Sequence, residues 1–281
     1  MSTPHAITAD ATDDVNSVTF DWKGFTLNLL MRLLYPAVGI TVLIAVWWLG
    51  GWAIEQNPDT ASFADFAPQP AFSRLLELLG NGAVIHAVLP SLERIGLGLL
   101  WAVLIGVPVG VGIGLFAQLR EITHVPFQFL RMISPLAWMP IAVLAFATWD
   151  GAIVFLITVA AIWPVIFSTA QGVRRIDPLW FKVAKNLGAG GTQMLRKIIL
   201  PAIGQDIFAG IRLAVGVAWI VLVPAEYLGV TSGLGYAIND ARDTLEYDTL
   251  AAMVVVIGVL GFFLDGICVR LINRFSWHQE G

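Results

Sequence analysis

The chain has 281 residues, of which 57% are apolar and 13% charged, with a net charge of −4 and a mean hydropathy of +0.78. Soluble globular chains run near roughly 45–50% and 25%, so this one has too little polar surface to cover a water-facing fold. Its single cysteine, Cys268, excludes an internal disulfide and a cysteine-ligated zinc site, and the composition points to an integral membrane protein.

Residues 1–22 carry Asp10, Asp13, Asp14 and Asp21, and the first positive charge is Lys23. A secretory signal needs a basic front and a short apolar stretch behind it. The pattern instead predicts a cytosolic tail over 1–32 and a first apolar segment that stays in the membrane. A helix crossing ~30 Å of hydrocarbon needs about 20 apolar residues, and six segments qualify. The first runs from about Leu33 to Ile54 and ends in Trp47, Trp48 and Trp52, an aromatic belt suited to an interface. An outer segment from Glu55 to Arg94 starts rich in Pro and Asp and becomes helix-like from Phe72 to Leu79. The second span covers Ile95 to Phe116, with Gly106, Gly110 and Gly114 on one face at a spacing that lets another helix approach closely. The third covers Val125 to Thr148, and Trp149-Asp150-Gly151 reads as a tight outer turn before the fourth, Ile153 to Ala170. A basic cytosolic stretch, Gln171 to Leu200, separates it from the fifth (Ile203 to Val223). The sixth runs from Leu250 to Leu271, and residues 275–281 form a second cytosolic tail. Pro126, Pro135, Pro140 and Pro164 each remove a backbone hydrogen bond or bend a helix.

Lys and Arg placement sets the orientation. With both termini inside, the cytosolic parts and helix starts hold twelve of the sixteen, among them Arg120, Arg131, Arg174, Arg175, Arg196 and Lys197. The outer side holds Arg74, Arg94 and Arg242, and Arg212 lies within the fifth span.

The sequence lacks the motifs of several catalysts. None of its four lysines follows a glycine as in a phosphate-binding G-x-x-x-x-G-K-[ST] loop. His5, His86, His124 and His278 are scattered, with no H-E-x-x-H spacing, so no metal site and no catalytic residue is predicted. Proton-coupled carriers place ionisable residues at mid-membrane, and these spans are nearly free of them.

The segment Asp177-Pro-Leu-Trp-Phe-Lys-Val-Ala-Lys-Asn-Leu-Gly188 carries start and stop signals. Asp177 suits the cap, Pro178 the first helical position and Gly188 the left-handed stop. Between them Trp180, Val183, Ala184 and Leu187 recur at i, i+3, i+4 and i+7, one apolar stripe of a helix of about three turns. Lys182 and Lys185 flank it. A second short helix, capped by Thr192, leads into Ile198-Ile-Leu200-Pro201. By itself this pattern fits an interfacial helix on the inner leaflet, or a knob that docks into a groove of a soluble partner.

Gly188, nine residues, then Ile198-x-Leu200-Pro201 resembles the G-x9-I-x-L-P core of the EAA loop of ABC-importer permeases. Lys182-Val183-Ala184 stands where that family often has Glu-Ala-Ala. The similarity extends over about residues 68 to 274 and looks like the nitrate, taurine and sulfonate branch. It is carried by Leu89-Pro-Ser91, Arg94, Arg131 with Pro135, Gly172-Val-Arg174, Gly210-Ile-Arg212, Glu226 with Ser232-Gly-Leu-Gly235, and Asp265. Ile133-Ser-Pro-Leu-Ala-Trp-Met-Pro140 and Ile162-Trp-Pro164 are most similar to nitrate/bicarbonate-type permeases.

The resemblance implies an all-α membrane protein with the type I ABC importer permease fold, its permease domain over 33–274 and its coupling loop over 171–201. It implies that Trp180, Lys182, Val183, Ala184, Lys185, Leu187, Gly188, Ile198, Leu200 and Pro201 couple to an ATPase. The partners implied are a second permease copy, two cytosolic ATPase subunits that hold ATP and Mg, an extracytoplasmic substrate-binding protein and the lipid of a bacterial inner membrane. No cofactor in this chain and no nucleic acid is implied. The solute implied is a small anion, nitrate first, with nitrite, cyanate or bicarbonate close to it; taurine or an alkanesulfonate is the alternative, and a stand-alone carrier the rival class.

Two charges fall inside the spans. Arg212 and Asp265 lie at nearly matching depths, which fits an ion pair between them or a cationic contact for a passing anion. Glu226, just past the fifth span, reads as a solvated loop charge or a contact to the binding protein.

Overall fold

The computed structural model describes residues 22–276; of the tails expected over 1–32 and 275–281, residues 1–21 and 277–281 lie outside the described residues, and the rest is helix. All regular structure among the described residues is helical. The chain divides into two compact units at Gly50. The first contains most of α1 (Trp22–Gln56), whose apolar stretch Leu34–Gln56 is long enough to cross a bilayer.

The second unit starts at Gly51, in the last turns of α1, and goes on with a 3-10 turn (Ala61–Phe66) and α2 (Pro68–Gly80), which contains the helix expected over 72–79. α3 (Ala83–Leu115) begins twelve residues before the expected span, so the supposed outer loop is already helix. Next come α4 (Ala117–Met132), a 3-10 turn (Pro135–Trp138) and α5 (Met139–Ala145), then α6 (Trp149–Arg175). The loop that follows holds α7 (Pro178–Asn186), α8 (Gly191–Met194), a π turn (Leu195–Ile199) and α9 (Leu200–Ala202). α10 (Gly204–Tyr227), α11 (Leu234–Asp243) and α12 (Tyr247–Ser276) complete the unit.

The glycine stripe decides how the bundle is built. A methyl group on Gly106 would sit 2.9 Å from Val165, and one on Gly114 2.5 Å from Val173; Gly98 meets Ile157 in the same manner. The offset is 59 residues at every contact, so α3 and α6 run parallel, backbone against backbone. Close approach of this kind gives van der Waals packing that lipid cannot supply.

Parallel neighbours must be joined by a return crossing. The chain leaves α3 beside the end of α6 and starts α6 at the other end, so residues 117–148 traverse the layer. They do so as a broken span: α4 and the 135–145 piece are bent by 89°. The third span expected over Val125 to Thr148 is thus two helices, and its first begins earlier, at Ala117. Pro135 lacks an N–H and disfavours helix at the residue before it, and both Ile133 and Ser134 are extended (ψ 126° and 130°). The turn expected at Trp149–Gly151 is instead the first turn of α6, capped by Thr148, whose Oγ1 accepts from the Gly151 N–H at 3.2 Å.

α10 packs antiparallel on α6: a methyl on Gly210 would meet Ser168, and one on Gly172 would meet Asp206. Ile153, Leu156 and Ile157 of α6 and Ala214, Ala218 and Leu222 of α10 form the main core with Ala102 and Ala142. With α1, five helices and the broken pair are long and apolar enough for six crossings.

Candidate functional site

Two polar layers bracket the apolar bundle. One lies where α6 meets α10: Arg175 Nη1 donates to Asp206 Oδ1 at 2.9 Å. The other gathers Arg94, Asp150 and Glu226. Asp206 and Glu226 are twenty residues apart on α10, which is about 30 Å of rise and matches the hydrocarbon thickness of a bilayer.

The second layer overturns two expectations. Glu226 is neither in a loop nor solvated: it is fully buried in the last turn of α10. Its carboxylate accepts from Arg94 Nη1 (2.6 Å), Ser91 Oγ (2.8 Å) and the Gly235 N–H (2.9 Å). Arg94, counted among outer-loop cations, is 4% exposed and belongs to α3. It also donates to the Ser232 carbonyl (2.8 Å), to Ser232 Oγ (2.9 Å) and through Nε to Asp150 (2.8 Å). Ser91 Oγ accepts from the Leu234 N–H at 2.8 Å. Gly233 at φ +111°, a conformation side chains rarely adopt, lets the 232–235 turn wrap this carboxylate. Burying a carboxylate is costly unless it is paired and its lone pairs are used, and here they are. Nearby, Arg74 ties α2 to α12 through Thr249 (2.9 Å), and its hydrogen bond to Glu77 pushes its pKa above the ordinary value.

At the other layer the loop forms as its local signals dictate. Asp177 Oδ1 accepts from the Leu179 N–H at 2.8 Å, and Pro178 fills the first helical position. Gly188 has φ +80°. The Gly188 N–H reaches the Lys185 carbonyl and the Ala189 N–H the Ala184 carbonyl, both at 3.0 Å, the paired closure of a left-handed helix stop. The following cap is Gly190, whose N–H donates to Gln193 Oε1 at 3.3 Å, while Thr192 lies inside α8; this corrects the predicted Thr192 cap.

The stripe on α7 is split. Ala184 is buried, and Phe181 packs with Val111, Val173, Ile199 and Ile203. Trp180, Val183 and Leu187 point away from the chain with Leu179, at 55%, 49%, 82% and 57% exposure. Lys182, Lys185 and Gly188 are exposed as well, Ile198 and Leu200 half-buried, and Pro201 exposed. Sequence reading missed Phe181 as the root of this helix, although its i, i+3 spacing to Ala184 marked a second apolar edge. A cavity of about 920 Å³ opens beside α7, lined by Trp180, Lys197, Pro201, Arg175 and Asp206.

Arg212 and Asp265 meet: Nε donates to Oδ1 at 2.7 Å and Nη2 to Oδ2 at 2.9 Å. Six residues separate Arg212 from Asp206 on α10, so the pair sits roughly 9 Å inside the layer. In the chain alone both side chains are about half exposed (45% and 52%). A bare charge inside the hydrocarbon is costly, and the two-pronged pairing offsets that cost. Arg131, counted with the cytosolic cations, ends α4 with its guanidinium carbon 5.2 Å from the centroid of the Phe167 ring. Phe167 is eight residues from Arg175 on α6, so this cation lies roughly 12 Å inside the layer.

Residues 102–277 match the family described as "Binding-protein-dependent transport system inner membrane component". The chain is 40% identical over 177 residues to the bicarbonate transport system permease protein CmpB of Synechococcus elongatus, covering 62% of this chain and 63% of that protein's length. It is 33% identical to the taurine transport system permease protein TauC of Escherichia coli (89% of this chain, 92% of that one). Identity to the nitrate import permease protein NrtB of Leptolyngbya laminosa is also 33% (87% and 88%). Among solved structures, an inward-facing MetNI methionine ABC transporter chain superposes with a TM-score of 0.55 at 17% identity, over 68% of this chain and 95% of that one.

Proposed function

The chain belongs to the family of binding-protein-dependent transport system inner membrane components, and from that premise we propose that it moves a small anion across the bacterial inner membrane as one of two permease copies worked by ATPases docked on α7. It is a permease subunit of an ABC importer and not an enzyme. ATP and Mg belong to two separate ATPase subunits, and an extracytoplasmic binding protein delivers the solute.

The observation that carries the docking reading is the two-sidedness of α7. Leu179, Trp180, Val183 and Leu187 stand uncovered on a capped, rigid helix, while Phe181 and Ala184 root it between α3, α6 and the start of α10. An amphipathic helix with its apolar side outward fits a hydrophobic groove. Its root passes a partner's displacement into the helices that begin and end there. Lys182 takes the place of the family's usual acidic residue and meets an acidic or carbonyl-rich patch of the ATPase.

Orientation follows from charge. Arg120, Arg174, Arg175, Lys182, Lys185, Arg196, Lys197 and Arg270 lie at the α7 end, against Arg74, Arg94 and Arg242 at the other. Cytoplasmic segments hold the excess of Lys and Arg, so α7 faces the cytosol and both termini lie there.

The solute is an anion because bicarbonate, nitrate and taurine, the solutes named for the relatives, all carry a negatively charged oxygen-bearing group. Nitrate is first, on the similarity of Ile133–Pro140 and Ile162–Pro164 to nitrate/bicarbonate-type permeases. Taurine is second, on the match that spans 92% of its permease. Purification of the chain with its ATPase tests the reading. Capture of the ATPase, lost on Trp180→Ala or Gly188→Ala, supports it; full transport by the chain alone in liposomes overturns it.

A further inference from the structure

We propose that Arg131 is the residue of the membrane crossing that touches the transported anion, an inference that rests on the anion-import reading above. Past the first two turns of α4, the charged side chains between the two polar layers on α3, α4–α5, α6, α10 and α12 are Arg131, Arg212 and Asp265. Asp265 neutralises Arg212 by two hydrogen bonds. The net positive charge of the crossing therefore sits on Arg131. Among the described residues, ion pairs engage Arg74, Arg94, Arg175, Arg212 and Arg242 but not Arg131.

Instead Arg131 lies over an aromatic row. Phe127 meets Trp163 edge-on at 5.4 Å, Trp163 stacks on Phe167 at 6.4 Å, and the guanidinium covers the Phe167 ring. A ring beneath a guanidinium holds its plane and leaves its edge N–H groups free. Those donors form a flat fork that suits two oxygens of a planar or tetrahedral oxyanion. Arg131 is exposed in this chain. A cation at this depth faces water or protein and not lipid.

The backbone beside it carries an independent sign. Immediately after Met132 the helix stops, and Ile133 and Ser134 are extended across the 89° bend. Ser134 and Ala137 are exposed. Non-helical backbone at membrane depth survives only inside protein or along a water-filled cavity, and broken spans of this type build solute sites in transporters. A cation without a carboxylate partner, placed at the break of a span, fits an anion passage. Its contact is a single one, weak enough to let the solute leave.

The test uses the complete importer (this chain with its ATPase and binding protein) in proteoliposomes, with labelled nitrate, bicarbonate and taurine supplied one at a time. Transport and binding-protein-stimulated ATP hydrolysis are read in the same vesicles for Arg131→Gln and Arg131→Lys. Arg131→Gln should cut the transport rate at saturating loaded binding protein by about tenfold, the size of one charge-assisted contact, while hydrolysis stays within about twofold. Arg131→Lys should keep most of the transport. Unchanged transport by Arg131→Gln overturns the proposal, as does an equal loss of transport, hydrolysis and assembled complex in both variants, which marks a packing residue. An unmutated complex that moves none of the three anions sinks the import reading itself, and this inference with it.

Discussion

Arg94 Nη1 stands 2.6 Å from Glu226 Oε1, with the arginine 4% exposed and the glutamate not at all. The pair joins α3 to α10 across 132 residues of sequence and, through Ser232 and Asp150, gathers the turn before α11 and the start of α6.

Removing one partner of such a pair leaves a buried charge alone. Glu226→Ala and Arg94→Ala should each lower stability by about 3–5 kcal/mol, and the double variant by less than the sum of the two. Ser91→Ala, which strips one hydrogen bond from the carboxylate and orphans the Leu234 N–H, should cost roughly 1–3 kcal/mol. Thermal unfolding in detergent, followed by size-exclusion chromatography, measures all four.

The seam between α3 and α6 admits no added methyl. Gly110→Ala would place a carbon 2.7 Å from the Ile166 carbonyl oxygen and should reduce the yield of folded protein, with Gly110→Val worse. Gly96, with open space around the same position, is the control: Gly96→Ala should leave expression and melting unchanged.

Trp180 and Phe181 are adjacent and should fail differently. Trp180→Ala and Leu187→Ala should leave the melting temperature of the chain unchanged but weaken ATPase capture, each by about 1–2 kcal/mol or more. Phe181→Ala should destabilise the chain, by less than the roughly 3–5 kcal/mol of a fully buried Phe because Phe181 is half-buried, and loosen α7 from its root, so that ATP hydrolysis runs with less transport per cycle. Gly188→Ala, strained at φ +80° by about 1–2 kcal/mol, should behave like Trp180→Ala in a pull-down.

The Arg212–Asp265 pair should act as an anchor. Arg212→Ala should lower assembly more than it alters which anion is carried, and Asp265→Asn should do the same. The neutral double variant Arg212→Gln/Asp265→Asn should recover assembly. A well-assembled, ATP-hydrolysing Arg212→Ala importer with changed anion selectivity would assign the pair to the passage instead.

Much of this architecture was legible because it is written locally. Six apolar runs predicted six crossings, and Asp177, Pro178 and Gly188 predicted α7 almost to the residue. The four fixed positions from Gly188 to Pro201 pointed to the family that the match over residues 102–277 establishes. What stayed hidden depends on contacts far along the chain. Glu226 looks like a loop charge until its partners, 132 and 135 residues earlier, are known. Pro135 signalled an interruption, but a proline inside a span bends or breaks it according to whether neighbours satisfy the freed backbone groups. Arg131 was counted with the cytosolic cations because it falls in the first turns of a helix read from Val125; its neighbour Phe167, 36 residues later, places it roughly 12 Å inside the layer. The orientation of α7 was half legible: Trp180, Val183, Ala184 and Leu187 read as one stripe toward a membrane or a partner, yet Ala184 is buried in the chain and Phe181, outside the stripe, packs inward.

Helices that touch through glycines at a fixed offset cannot slide along each other without forcing side chains into backbone. From Gly98 to Gly114, α3 and α6 are therefore one stiff strut, with the root of α7 at its foot and the Arg94–Glu226 knot at its head. A partner that displaces the root of α7 must therefore move the two helices together, because the seam leaves them no room to shear past each other.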